Sequence, residues 1–165
     1  MRIVVSTWGT YGDLHPVLGL CAGLRQRGHH LGIATCPLYK ERVEALGYEF
    51  HPLRPDLPDP KDIHDLARRV MDPRTGTKTM LTDVLLPSLR DMDEDLHTAC
   101  KDADLLISHS LVFPSPIVAE RLGIPFFSMV LQPIVFCSAY DPPIPPGVTK
   151  LIGKPMPPPG VMAPL

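Results

Sequence analysis

Short apolar runs alternate with segments whose apolar residues return every third or fourth position. Residues 2–7 hold Ile3, Val4 and Val5 in succession, which predicts a short strand buried on both faces. A polar loop follows, Trp8-Gly9-Thr10-Tyr11-Gly12-Asp13. Pro16 then marks the start of a helix, where a missing N–H costs nothing. Val17, Leu20, Cys21 and Leu24 fall at helical spacing and Gly28 closes the helix. The run 31–36 predicts a second strand, 37–46 a second helix ended by Gly47, and 48–53 a third strand. Strand and helix alternating through short links predict a parallel sheet with right-handed crossovers and helices on both faces, the Rossmann-like α/β class.

The middle of the chain departs from that rhythm. A Pro/Asp loop over 54–60 leads to a helix at 61–71. A turn over 72–76 precedes a longer helix at 77–101, predicted to kink near Pro87. The sheet resumes with a strand at 103–108, a helix at 115–122 closed by Gly123, and a fifth strand at 125–131. The charged run 90–95 reads as a solvated helix face. Nine of the 21 prolines lie between Pro142 and Pro164, a density that excludes sheet interiors and helices. The expected organisation is therefore one domain over 1–141 and a Pro-rich linker or tail over 142–165.

Composition narrows the classes. The chain is 44% hydrophobic and 21% charged with a formal net charge of -2, so it can build a core and gives no reason to expect nucleic acid or an anionic membrane as partner. Cys21, Cys36, Cys100 and Cys137 form no close pair, which predicts free thiols in a reducing compartment and no metal site. The N-terminus is too short for a signal peptide or a membrane span, and a cytoplasmic location is expected.

Ligands of an open parallel sheet gather at the carboxyl ends of its strands, so the loop 8–13 carries the candidate chemistry. Its glycines are spaced GxxG rather than GxGxxG, and the second strand ends in Ala34-Thr35-Cys36 without an acid for a ribose. Asp13 would oppose a pyrophosphate at the helix start. A flavodoxin-like FMN loop finds hydroxyls in Ser6, Thr7 and Thr10 but meets the bulk of Trp8 and the charge of Asp13. A third reading makes Asp13 the active group, a carboxylate able to take a proton from a bound hydroxyl. By spacing alone, a helix N-cap comes first for Asp13. Trp8 has two readings as well, facing an open cleft or anchoring the loop from within.

The order Gly12-Asp13-Leu14-His15-Pro16, Leu18-Gly19-Leu20, Leu24, Arg27, Gly28, His29 resembles the N-terminal signature of nucleotide-sugar glycosyltransferases of families 28 and 1. The sterol and antibiotic glucosyltransferases belong there. The resemblance continues through Pro37, Glu41, Leu46 and Gly47, through 103–107 and 119–125, and into Gln132-Pro133 and 138–143. It implies the acceptor-binding half of the two-domain GT-B fold and inverting transfer from a nucleotide-sugar to a hydroxyl of a lipophilic small molecule. No metal or resident cofactor is implied. Asp13 matches the family's general base. Trp8, Gly9, Thr10, Gly12, His15, His109, Ser110 and Gln132 are the expected acceptor contacts, although His15 reads equally as a helix-start residue and His109 first as a hydrogen-bonded loop histidine. Some relatives place an acid that supports the base near His109 and Ser110, and this chain has none there. The segment 61–101, with Met71, Met80, Leu81, Leu85 and Leu86, falls where the family builds its acceptor pocket, although the same spacing also describes plain core. Nothing in the sequence resembles the family's donor-binding domain. The chain is therefore expected to be inactive alone, with a donor domain supplied in cis or in trans. The alternative is a non-catalytic α/β binding module or an FMN carrier.

Overall fold

The computed structural model describes residues 1–56, 63–72 and 74–132, with the backbone alone for 63–65. The expected tail over 142–165 and Cys137 lie outside the described residues. Five parallel strands form one sheet: β1 Arg2–Ser6, β2 His30–Thr35, β3 Glu49–Pro52, β4 Leu105–His109 and β5 Phe126–Met129. Their order is β3-β2-β1-β4-β5. Ile3 pairs with Leu31 on one side and Leu105 on the other, and Ser6 pairs with Ala34 and Ser108.

The alternation of side chains along β1 divides the interior into two layers. Ile3 and Val5 point to the face covered by α1 (Tyr11–Gln26) and α2 (Lys40–Ala45), where Leu14, Val17, Cys21 and Val43 are fully buried. Val4 and Leu106 point to the other face, packed by α5 (Leu89–Cys100) and α6 (Ser115–Leu122) through Met92, Leu96 and Val118. The helices of the β1–β2–β3 half thus lie on one face and those around β4 on the other. The sheet predicted from the sequence is present, as a Rossmann-like α/β fold. Met1–Met129 forms one compact unit, and Val130–Leu165 is separate from it.

Two helical predictions change in detail. The first helix starts at Tyr11, so Pro16 lies inside it rather than at its start. The N–H that Pro16 lacks would have bonded the carbonyl of Gly12, which sits in an exposed first turn where water can serve it. The helix expected over 61–71 spans Ile63–Val70 (α3). The longer one expected over 77–101 begins as α4 (Gly76–Thr79), opens into a π turn over Met80–Leu85, and tightens to 3-10 geometry over Leu86–Ser88 before α5. Pro87 sits inside the tightened turn, where the ladder loses a donor. Leu85 joins the core, Met80 and Leu81 pack partly against it, but Met71 is 81% and Leu86 51% exposed.

The charged run in α5 is also more than a solvated face. Asp95 accepts from Arg54 Nε and Nη2, both at 2.8 Å, and from its backbone N–H at 3.0 Å. Asp91 lies 3.1 Å from the same guanidinium, and Asp93 pairs with Arg121 at 2.8 Å. The Asp95 carboxylate holds the Arg54 pKa above its ordinary value, and the fork fixes the chain leaving β3 onto α5. Cys21, Cys36 and Cys100 are buried, unbridged thiols, and burial pushes Cys21 and Cys100 up to about 12. Among the described residues no helix is long and apolar enough to cross a membrane.

The layered core sets a stability contrast. Leu106, fully buried under α5 and α6, is expected to lose about 2–5 kcal/mol on Leu106→Ala, from lost burial plus the cavity left behind. Met71→Ala should stay within about 0.5 kcal/mol because the side chain is exposed. Urea unfolding of both variants measures the difference, and equal effects would contradict the assigned core.

Candidate active site

The strand order reverses at β1. β1 continues into α1 on one face, while β4 continues into α6 on the other, so the two outgoing loops part and leave a crevice at their carboxyl ends. Such switch points are where open α/β sheets hold ligands. The strand ends there carry a buried polar chain. Ser6 Oγ donates to Ser108 Oγ at 2.7 Å, Ser108 and Ser115 hydroxyls meet at 2.6 Å, and Ser115 Oγ donates to the Val112 carbonyl at 2.7 Å. This buried serine chain, which the sequence reading missed, ties β1, β4 and the start of α6 together. The strand register, Ser6 opposite Ser108, is the signal that could have shown it.

The β1–α1 loop is fixed from three sides. Thr10 is the N-cap of α1, and its Oγ1 accepts from Gly12 N at 3.2 Å. Asp13, at the third helical position, completes a capping box: its Oδ2 accepts from Thr10 N at 2.7 Å and from Thr10 Oγ1 at 3.2 Å. Gly9 has φ 140°, and a Cβ there would stand 2.8 Å from Asp13 Cγ. Only glycine therefore allows both this backbone and the carboxylate folded against it. Tyr39, a second residue that the sequence reading passed over, donates its hydroxyl to the Gly9 carbonyl at 3.1 Å. Burial, with Cys36, Tyr11 and Asp13 nearby, pushes its pKa up to about 12, so it remains a donor.

Trp8 corrects the open-cleft expectation. The indole is 5% exposed, packs in the α5/α6 core layer, and donates Nε1–H to the Pro55 carbonyl at 2.7 Å. A buried indole needs a partner for its N–H, and the chain held by the Arg54–Asp95 fork provides one. His109 is likewise buried, 1% exposed overall. Neither ring presents a surface to an acceptor, so both leave the set of direct contacts. His15 is exposed and stacks near Tyr11 with ring centroids 5.4 Å apart. Ser110 keeps a buried Oγ without a partner among the described residues. Gln132 is exposed but falls in the separate unit.

At the crevice mouth the Asp13 side chain is 13% exposed, and its Oδ1 makes no hydrogen bond to the described loop. His109 Nε2 lies 3.9 Å from that oxygen, beyond hydrogen-bond reach. Thr10 N, Gly12 N, Asp13 N and Leu14 N at the start of α1 are spent within the cap, and the added negative charge opposes a phosphate there. That arrangement fits a carboxylate that accepts a proton better than an FMN cradle. No group of three metal-ligating side chains occurs among the described residues. A cavity of about 570 Å³ opens near the amino ends of β1–β3, lined by Arg2, Arg25, His29, His30 and Glu49. Its guanidiniums are already engaged: Arg2 with Glu49 at 2.9 Å, and Arg25 with the Leu46 carbonyl at 2.7 Å and the Tyr48 ring. It lies at the wrong end of the sheet for the switch-point chemistry.

A doubly wound sheet with an acidic β1–α1 loop at its switch point is the N-terminal half of a GT-B glycosyltransferase in form. Residues 3–140 match the model of the glycosyltransferase family 28 N-terminal domain, and the chain belongs to that family. A sterol 3-beta-glucosyltransferase of Neurospora crassa is 33% identical over 143 residues, 85% of this chain and 9% of that protein. The UDP-sugar-dependent glycosyltransferase 52 of Dictyostelium discoideum is 28% identical over 162 residues, 93% of this chain and 9% of its own length. The chain thus spans about a tenth of the curated relatives it matches. Among solved structures, the glycotransferase of kitacinnamycin superposes with a TM-score of 0.58 at 25% identity, covering 79% of this chain and 30% of that one.

Because Trp8 is the sole tryptophan, its emission reports on the loop. Native protein is expected to shield it from acrylamide, with quenching appearing only on unfolding. Strong quenching in the native state would contradict the anchor. Gly9→Ala should lower stability by about 1 kcal/mol or more, because alanine resists this backbone and displaces Asp13; an unchanged urea midpoint would remove the argument.

Proposed function

We propose that this chain is the acceptor-binding half of an inverting glycosyltransferase that moves a sugar from a nucleotide-sugar to a hydroxyl of a lipophilic small molecule. Asp13 is the general base. Its Oδ1 takes the proton of the acceptor hydroxyl, the oxygen attacks the anomeric carbon, and the nucleoside diphosphate departs with the bonding pair of the broken C–O bond. The nucleotide-sugar is a co-substrate, and no metal takes part in the step. A donor-binding domain, in cis or in trans, holds the diphosphate, and the chain alone is inactive.

One observation carries the reading: a carboxylate anchored through one oxygen, with the other free, at the crevice between β1 and β4. A general base needs that combination of fixed position and open lone pairs. The names of the relatives, a sterol glucosyltransferase and a UDP-sugar-dependent enzyme, support the acceptor and donor classes. A groove of about 340 Å³ between the start of α5 and the β4–α6 loop, lined by Leu89, Phe113, Pro114 and Ile117 together with the charged Arg90, Asp93 and Glu94, offers part of the apolar surface such an acceptor needs. Phe113 and Ile117 are 39% and 57% exposed there.

The test joins the chain to the donor-binding domain of a relative and follows sugar transfer to a sterol-like alcohol. Asp13→Asn is expected to reduce kcat by about 10²–10⁴-fold, the usual contribution of a general base, with little change in acceptor KM. A reduction of less than about tenfold would reject Asp13 as the base.

A further inference from the structure

Asp13 is gripped through one oxygen only, and the group facing the other is a histidine whose ring has no hydrogen-bond partner among the described residues. We propose that His109 is the positioning residue for Asp13, a buried imidazole that directs its Nε2–H at Asp13 Oδ1. The proposal rests on the reading of Asp13 as the base and supplies its missing support.

The sheet sets the ring in place. His109 ends β4 in register with Met129, and its carbonyl accepts from Val112 N at 3.0 Å and Ser108 Oγ at 3.3 Å. Its side chain is 0% exposed, and neither ring nitrogen has a hydrogen-bond partner among the described residues. Buried polar atoms are ordinarily paired, and one left open marks a function or a missing partner. Asp13 Oδ1 lies 3.9 Å from Nε2, so closure by about 1 Å makes a hydrogen bond of ordinary length.

Chemistry then fixes the direction. A carboxylate oxygen accepts, so the nitrogen facing it must donate, and a ring with a single proton carries it there. The ring is sealed from the crevice and cannot touch an acceptor, so it acts through Asp13. During transfer the acceptor proton goes to Asp13 and His109 keeps its own. With Thr10 N–H on Oδ2 and His109 N–H on Oδ1, the carboxylate cannot rotate away from the attacking oxygen.

The other titratable groups around Asp13 do not compete for this role. Tyr39 has its hydroxyl on the Gly9 carbonyl and stays protonated. Cys36 lies behind it with Sγ 3.6 Å from the Pro55 carbonyl. Tyr11 and His15, on α1 itself, are exposed and stacked on each other.

The experiment reads the His109 tautomer by long-range ¹H–¹⁵N NMR on the 165-residue chain, with and without Asp13→Asn. The wild-type ring is expected as Nε2–H. In Asp13→Asn the side-chain oxygen still takes Thr10 N–H and the amide NH2 turns toward the ring, so His109 should switch to Nδ1–H. The same tautomer in both proteins would overturn the proposal. No sugar transfer enters this measurement, so the pairing and the glycosyltransferase reading can fail separately. In the chain joined to a donor domain, His109→Leu should reduce kcat by about 10–100-fold at nearly constant acceptor KM, the scale of a misplaced catalytic group. His109→Gln, which restores an N–H at the same reach, should recover most of that loss. Equal kcat for the Leu and Gln variants would contradict a donor role.

Discussion

The reversal of strand order at β1 is the constraint on which the site depends. A right-handed crossover can leave a parallel strand toward only one face for a given direction of travel. Moving from β1 to β2 and β3 places α1 and α2 on one face, and placing β4 on the opposite side of β1 sends α6 to the other. The loops after β1 and β4 must diverge, and the space between them cannot be filled by either. Asp13, in the first turn of α1, and His109, at the end of β4, are 96 positions apart in sequence and approach each other because the sheet pairs Ser6 with Ser108.

Holding a carboxylate at that opening requires a rigid loop, and the rigidity comes from beneath. Trp8 is fastened to Pro55, whose neighbour Arg54 is forked onto Asp95 of α5. Tyr39 holds the Gly9 carbonyl from the α2 side. The β1 loop is thus braced against both layers of the domain. The capping box serves the same end, since one set of hydrogen bonds starts α1 and orients Asp13.

The fold was legible because its signals are local. Apolar runs of strand length, glycines after helices and short links are enough to order a parallel sheet, and the helix at Ser115–Leu122 falls where its spacing and Gly123 put it. The start of α1 was misjudged because Pro16 looks like a first-turn residue, whereas Thr10 and Asp13 form a capping box with Asp in place of the usual Glu or Gln. Sequence spacing also offered an N-cap role for Asp13, and the structure gives it the third helical position with one oxygen left over. What could not be read was pairing at a distance. Nothing near Trp8 announces Pro55 as its acceptor, and nothing in the run 90–95 announces Arg54. Whether His109 is buried or open depends on packing that periodicity does not report.

The account's central claim is that an acceptor hydroxyl is received in the crevice between β1 and β4. Backbone amide NMR of the chain during titration with a sterol-like alcohol tests it most directly. The account predicts shifts concentrated in 7–13 and 109–117, with the amino-end residues around Arg25, His29 and Tyr48 unchanged. Shifts centred on that opposite cavity, with the Asp13 and His109 loops silent, would contradict it.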